Sequence, residues 1–280
     1  MRKIDTKTIR SAIERMCIEA SYNIPEEVVR CYYNAAEIEE SPLARGILGQ
    51  IIENAEYSKM NNLPSCQDTG MVVVFLNIGR EVHFTGSPLE DMVNEGVASG
   101  YEKGYLRKSV VAHPIDRVNT GSNTPAVIHY DFTDGDKVHI SLMPKGFGSE
   151  NMSALAMLKP SDGIEGVRRF VLNTVDAAGA NACPPLFIGI GIGGTAEKAM
   201  LLSKKALMRS PGTRSENKTD AGLEADLIDL LNKTGIGAAG TGGTITVFDV
   251  FVESFPTHIA GLPVAVNICC HAMRHKEAVI

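Results

Sequence analysis

Six cysteines stand at positions 17, 31, 66, 183, 269 and 270, and no two form a CxxC pair. A thiolate is a nucleophile and a soft metal ligand, so each is weighed for that chemistry against plain packing. Cys17 and Cys31 fall on apolar stripes at helical spacing, where a free cysteine serves as a small core hydrophobe. Cys66 differs. It lies in Pro64-Ser65-Cys66-Gln67-Asp68-Thr69-Gly70, an aperiodic polar stretch between a helix stop and a β-rich run. Cys183 sits in Asn181-Ala182-Cys183-Pro184-Pro185, a helix-to-strand connection restrained by two prolines. Cys269 and Cys270 follow an apolar run and precede His271. Loop cysteines beside strands are placed where sites are built, which suits a metal or cluster. Their separations follow no ligand spacing rule, so free thiols, metal ligands and nucleophiles all stay open on these residues alone.

Gly189-Ile190-Gly191-Ile192-Gly193-Gly194 satisfies GxGxxG between an apolar run and a helix. A dinucleotide fingerprint needs that context, which makes a nicotinamide-dependent oxidoreductase an alternative. Such a unit also wants an acidic residue closing a second strand about 20 residues on. The sequence has Arg209-Ser210-Pro211-Gly212-Thr213-Arg214 there. The same glycines suit a tight strand-to-helix turn, or amides that cradle an anion or cluster at a helix N-terminus. Gly235–Gly243 and Lys145–Ser149 are further glycine loops. His258, in a loop between strands, is either structural or a site residue. Arg107 by itself reads as a surface cation. The basic residues Lys204, Lys205, Arg209, Arg214 and Lys218 read as a solvated face.

The elements that hold these residues follow from hydrophobic period. Ile9, Ala12, Ile13, Met16, Cys17 and Ala20 mark one helical face, and Val28, Cys31, Tyr32, Ala35 and Ile38 mark a second. A third helix opens at Ser41-Pro42 and closes near Asn61-Asn62-Leu63-Pro64. The pattern then alternates. Strands are predicted over Met71–Ile78, Leu186–Ile192, Thr244–Phe251 and Pro263–Ile268, and helices over Pro88–Lys103, Gly163–Ala178, Ala196–Arg209 and Gly222–Lys233. Pro125–Phe132 and Lys137–Met143 are strand-like, and Thr133-Asp134-Gly135-Asp136 between them signals a hairpin. The expectation is one mixed α/β (α+β) domain over 1–280, with a helical cap at 1–62 packed on a mixed-sheet region at 63–280.

Composition narrows the class of function. The 280 residues are 44% hydrophobic and 21% charged, an ordinary globular balance. Net charge is −6, aromatics are 6% and there is no Trp. That lacks the basic, base-stacking footprint of a nucleic-acid binder. The apolar runs are too short to span a bilayer, and the opening MRKIDTKTIR has no apolar signal core, so a cytoplasmic protein with reduced thiols is expected.

Taken together, SCQDTG, KGFGSENMS, NACPP followed by IGIGIGGTAEKA, GTGGTITVFDVFVESFPTHIAGLPVAVN and CCHAMRH resemble the iron–sulfur hydro-lyases, class I fumarate hydratase and L-tartrate dehydratase. The resemblance runs over nearly the whole chain and is to the α subunit of the two-subunit form. It implies a [4Fe–4S] cluster held by Cys66, Cys183 and Cys270, with one iron open; Cys269 beside Cys270 is the alternative third ligand. It implies substrate contacts at Gln67 and Arg107 and catalytic roles for Asp68 and His258. It implies hydration of fumarate to (S)-malate, or alternatively dehydration of L-tartrate to oxaloacetate. Finally, it implies a separate β subunit that completes the site, in a hetero-oligomer of α2β2 type.

Overall fold

The computed structural model describes residues 1–280, and the change of hydrophobic period does mark a mixed α/β fold. By its internal contacts the chain forms two compact units, and it crosses between them more than once. The first holds Met1–Pro25, Ala55–Phe147 and Arg274–Ile280; the second holds Glu26–Asn54 and Gly148–Met273. The three N-terminal helices are therefore divided between the units.

In the first unit a short strand β1 (Arg2–Asp5), which the sequence pattern does not announce, leads into α1 (Thr6–Tyr22). Asp5 caps that helix, its Oδ1 accepting from the Lys7 amide at 2.9 Å. All six stripe residues from Ile9 to Ala20 are buried, against α4 (Leu89–Lys103) and the sheet. That sheet is built on β2 (Met71–Gly79), flanked by β4 (Val127–Thr133) and β5 (Val138–Lys145), with β10 (Lys276–Val279) outside β5. A two-stranded ribbon pairs β1 with β3 (Val82–Thr85) in parallel.

The expected hairpin is a correction. β4 and β5 do not pair; β2 lies between them, parallel to β4 and antiparallel to β5. The reason is burial. β2 is apolar on both faces and nearly all buried, so it takes the centre, while the mostly exposed β4 suits an edge. The polar connection at 134–137 straddles the end of β2, where the Gly79 amide donates to the Lys137 carbonyl and the Arg80 amide to that of Thr133.

The second unit begins with α2 (Glu26–Ile38) and most of α3 (Pro42–Asn61), whose last turns belong to the first unit. The four-residue helix α5 (Phe147–Glu150) carries the chain back into it. Its sheet runs β6 (Ala154–Leu158), β9 (Leu262–Cys269), β7 (Leu186–Gly193), β8 (Val247–Phe255). The connection from β7 to its parallel neighbour β8 contains α7 (Ala196–Ala206) and α8 (Lys218–Asn232). Helix α6 (Gly163–Ala178) buries Val167, Val171 and Val175 at helical spacing, and α8 buries Leu223, Leu227 and Leu231 in the same core.

Two glycines of GxGxxG prove to be strand residues. A Cβ on Gly189 would lie 2.1 Å from the Ser203 carbonyl oxygen, and one on Gly191 would lie 2.0 Å from that of Ala199. Their lack of a side chain lets α7 press its backbone onto β7. No helix is long and apolar enough to cross a membrane.

Candidate active site

The loop Ser65–Gly70 joins α3 to β2 in the first unit and is fixed at Ser65 and from Asp68 to Gly70. Ser65 donates through its amide and its hydroxyl to the Ser21 carbonyl, at 3.0 and 3.2 Å. The Asp68 carboxylate accepts from the Gly70 amide at 3.1 Å and the Phe147 amide at 2.7 Å. Three buried side chains from distant parts of the sequence then hold three successive carbonyls. Arg274 Nη2 donates to Asp68 O at 2.7 Å, the Tyr101 hydroxyl to Thr69 O at 2.5 Å, and Asn123 Nδ2 to Gly70 O at 3.1 Å. Burial pushes the Tyr101 phenol well above its ordinary range, so it stays a donor. Gly70 has φ +75°, and a Cβ there would meet the Lys145 backbone at 2.6 Å, so only glycine closes the loop.

Arg107 arrives at the same loop. The Thr69 hydroxyl donates to its carbonyl at 2.9 Å, and Asn123 Oδ1 accepts from the Ser109 amide at 2.7 Å. The Arg107 side chain is exposed, as is that of Gln67, while Cys66 and Asp68 are half-buried. Arg107, distant in sequence, thus joins the consecutive residues Cys66, Gln67 and Asp68 in one unit, with side chains reachable from solvent.

In the second unit Cys183 and Cys270 are brought to one end of the sheet. β7 starts just after Cys183 and β9 ends just before Cys270, and the antiparallel pairing sets Phe187 opposite Cys269. Cys183 is exposed and left-handed, with φ 55° and ψ 63°. Its carbonyl accepts from the His271 amide at 3.3 Å, and His271 Nδ1 lies 3.1 Å from the same oxygen. The Tyr32 hydroxyl of α2 donates to the His271 carbonyl at 2.8 Å. These bonds tie the two cysteine loops together.

His258 is placed elsewhere. It lies with Gly194, Thr195, Lys198, Phe255 and Thr257 around a cavity of about 500 Å³ at the other end of β7. From Leu186 to Gly193 a strand spans about 23 Å, so His258 does not share the Cys183 end of its own sheet. Its Nδ1 accepts from the Ala260 amide at 3.1 Å, which fixes the Nε2–H tautomer when the ring is neutral.

The thiols separate by environment. Cys17 is fully buried, and burial raises its pKa strongly; the Cys31 thiol is pushed up to about 11, chiefly by burial. Cys269 is buried on β9, 4% exposed, next to half-buried Cys270 in the loop. Cys66, Cys183 and Cys270 lie in loops with half-buried or exposed side chains, and a thiolate is the soft ligand type that an iron–sulfur cluster takes. Tyr101, Asn123 and Arg274 were not singled out from sequence. Arg274 sits inside CCHAMRH, so the motif held it, but nothing local marks its reach to Asp68.

A sequence model of the family described as fumarate hydratase (Fumerase) matches residues 10–279. A protein of Methanocaldococcus jannaschii, named provisionally as L(+)-tartrate dehydratase subunit alpha, is 43% identical over 95% of this chain and 95% of its own. The L(+)-tartrate dehydratase subunit alpha of Escherichia coli K12 is 34% identical over 93% of this chain and 86% of its own. The protein of that name in Shigella sonnei matches to the same extent.

Proposed function

This chain belongs to the fumarate hydratase (Fumerase) family of hydro-lyases, and from that premise we propose that it is the cluster-bearing α subunit of an enzyme that interconverts fumarate plus water with (S)-malate. The observation that carries the reading is the family match over 10–279. The placement of Cys66, Cys183 and Cys270 in loops, while Cys17 and Cys31 lie on helices and Cys269 on a strand, supports it. A second reading is dehydration of L-tartrate to oxaloacetate, favoured by the names of the relatives. The two substrates differ by one hydroxyl, which hydrogen bonds can discriminate.

Cys66, Cys183 and Cys270 hold a [4Fe–4S] cluster in this proposal, and the burial of Cys269 favours Cys270 as the third ligand. When bound, a cluster with three thiolates supplies an open iron that acts as a Lewis acid. The protein's own groups do the rest. Hydration breaks one C–C π bond and one O–H bond of water, forms a C–O bond on one carbon and a C–H bond on the other, and needs no redox partner. The exposed Arg107 guanidinium grips a substrate carboxylate through two parallel N–H bonds. Gln67 donates an amide N–H to a substrate oxygen. Asp68, whose two carboxylate oxygens are each held by an amide, orients a neighbouring donor or water. His258 transfers or holds a proton. Because it lies at the far end of its own sheet, that role requires the His258 of a second copy in an assembly of α2β2 type. The subunit names of the relatives support a separate β partner, which completes the site and without which the chain is nearly inactive.

The test is anaerobic. The chain is reconstituted with iron and sulfide, iron is counted, and fumarate and L-tartrate are assayed with the β subunit present. About four irons per chain and turnover of either substrate support the reading, and the preferred substrate decides between fumarate and tartrate. Iron-free chains in the complex, with neither substrate turned over, would sink it.

A further inference from the structure

Arg274 is 2% exposed, and its position is set by the segment that leads into β10, where Lys276 pairs with Leu142 of β5. Its Nη2 donates to Asp68 O at 2.7 Å. Nε and Nη1 are buried and find no hydrogen-bond acceptor in the protein. A buried guanidinium held by a single carbonyl is costly, and placing it there is not the choice that fold stability alone would favour. The carboxylate of Asp68 is close by. Asp68 Oδ2 and Arg274 Nη2 lie 3.2 and 3.9 Å from the point where a Cβ on Gly146 would sit, so both border the space beside Gly146, and a Cβ there would crowd the carboxylate while only touching the guanidinium. The two groups also act on the same phenol, Tyr101, with opposite sign.

We propose that Arg274 is a positioning residue for Asp68: its cation and its bond to the Asp68 carbonyl fix the direction in which the Asp68 carboxylate is presented, together with the turn that carries Cys66 and Gln67. The inference deepens the hydro-lyase reading and rests on it for the role of Asp68, but the geometric part stands alone. Tyr101 and Asn123 hold the next two carbonyls, so removing Arg274 frees the Asp68 end of the loop without releasing the rest. The two amides that donate to the Asp68 carboxylate, Gly70 and Phe147, are direct reporters of its direction.

The experiment measures hydrogen exchange in the full chain complexed with its β subunit, for wild type, Arg274→Gln and Arg274→Lys. Expected is exchange at Gly70 and Phe147 at least about tenfold faster in R274Q, the loss of roughly one charge-assisted hydrogen bond, with β7 and β9 protected as in wild type. R274K, which keeps the cation without the planar fork, falls between. In the reconstituted complex kcat drops while KM and iron content hold. Wild-type exchange at both amides in R274Q overturns the proposal, and so does a uniform rise over the whole chain, which marks a merely structural arginine. If R274Q does not fold, the same two amides in R274K decide. Faster local exchange with kcat unchanged upholds the positioning and overturns the catalytic use of Asp68 instead.

Discussion

Cys269 and Cys270 are neighbours in sequence and opposites in environment. Successive strand residues point to opposite faces, so the last residue of β9 is held in the sheet while the next enters the loop beside Cys183. Removing each thiol should separate the roles. C270A is expected to lose the cluster iron, and C269A to keep it with at most a modest fall in Tm; iron content and the absorbance near 400 nm on anaerobic samples check this. The reverse result would move the third ligand to Cys269. At this scale the sequence made the cysteines legible because their surroundings change from periodic to aperiodic within a few residues. Tyr101, Asn123 and Arg274 were illegible for the opposite reason. Tyr101 lies on a helix, and its hydroxyl acts on a loop 32 positions away in the chain. Only tertiary structure supplies that contact.

Elements held where burial on one face imposed a period, as in α1 and α6, and failed where a strand was short or its partner distant. β1, β3 and β10 are four-residue strands whose pattern is too brief to rise above a loop. The turn signal between β4 and β5 was genuine, but β2, buried on both faces, displaced the local pairing. The Gly235–Gly243 loop shows how an element can be held from outside itself. Glu39 is fully buried at the end of α2, and its carboxylate accepts from the amides of Ser41, Thr244 and Ile245 at 2.8 to 3.0 Å. Burial alone would raise its pKa; the amide bonds outweigh that and hold it below the usual carboxylate range. A carboxyl lowered by folding stabilises fully above its unfolded value, about 4.3, and loses that contribution as pH falls through the folded value. E39Q is therefore expected to cost about 1–3 kcal/mol at pH 7, the scale for charge-assisted bonds, and progressively less below about pH 4. Thermal melts of both proteins from pH 7 to 3.5 check the sign. Gly191→Ala tests the β7–α7 contact in the same way. The added methyl meets the Ala199 carbonyl, so a loss of at least about 2 kcal/mol is expected, with α7 pushed off the strand.

At the scale of the whole molecule, sequence could not show that the chain alternates between two units, because three crossings fall inside or beside a helix and the fourth in the short loop between β9 and β10, none in a composition-marked linker. Nor could it show that His258 and Cys183 sit at opposite ends of one sheet, since both occur in loops flanking strands. That placement makes a cross-copy contribution testable. H258A and C183A α chains, each assembled with wild-type β subunit, are expected to be nearly inactive. Coexpressed, they form mixed assemblies in which one of the two sites joins an intact Cys183 to an intact His258. If a second copy supplies His258, random pairing of the two variants restores about a quarter of wild-type activity, since half the assemblies are mixed and half their sites are whole. If His258 serves the cluster of its own chain, every site in the mixture lacks one of the two residues and activity stays at the level of the parents. The same floor follows if each assembly contains a single α chain, and the measured mass of the complex separates that case from one in which His258 serves its own chain. Activity restored in an assembly with a single α chain would contradict the placement of His258 at the far end of β7.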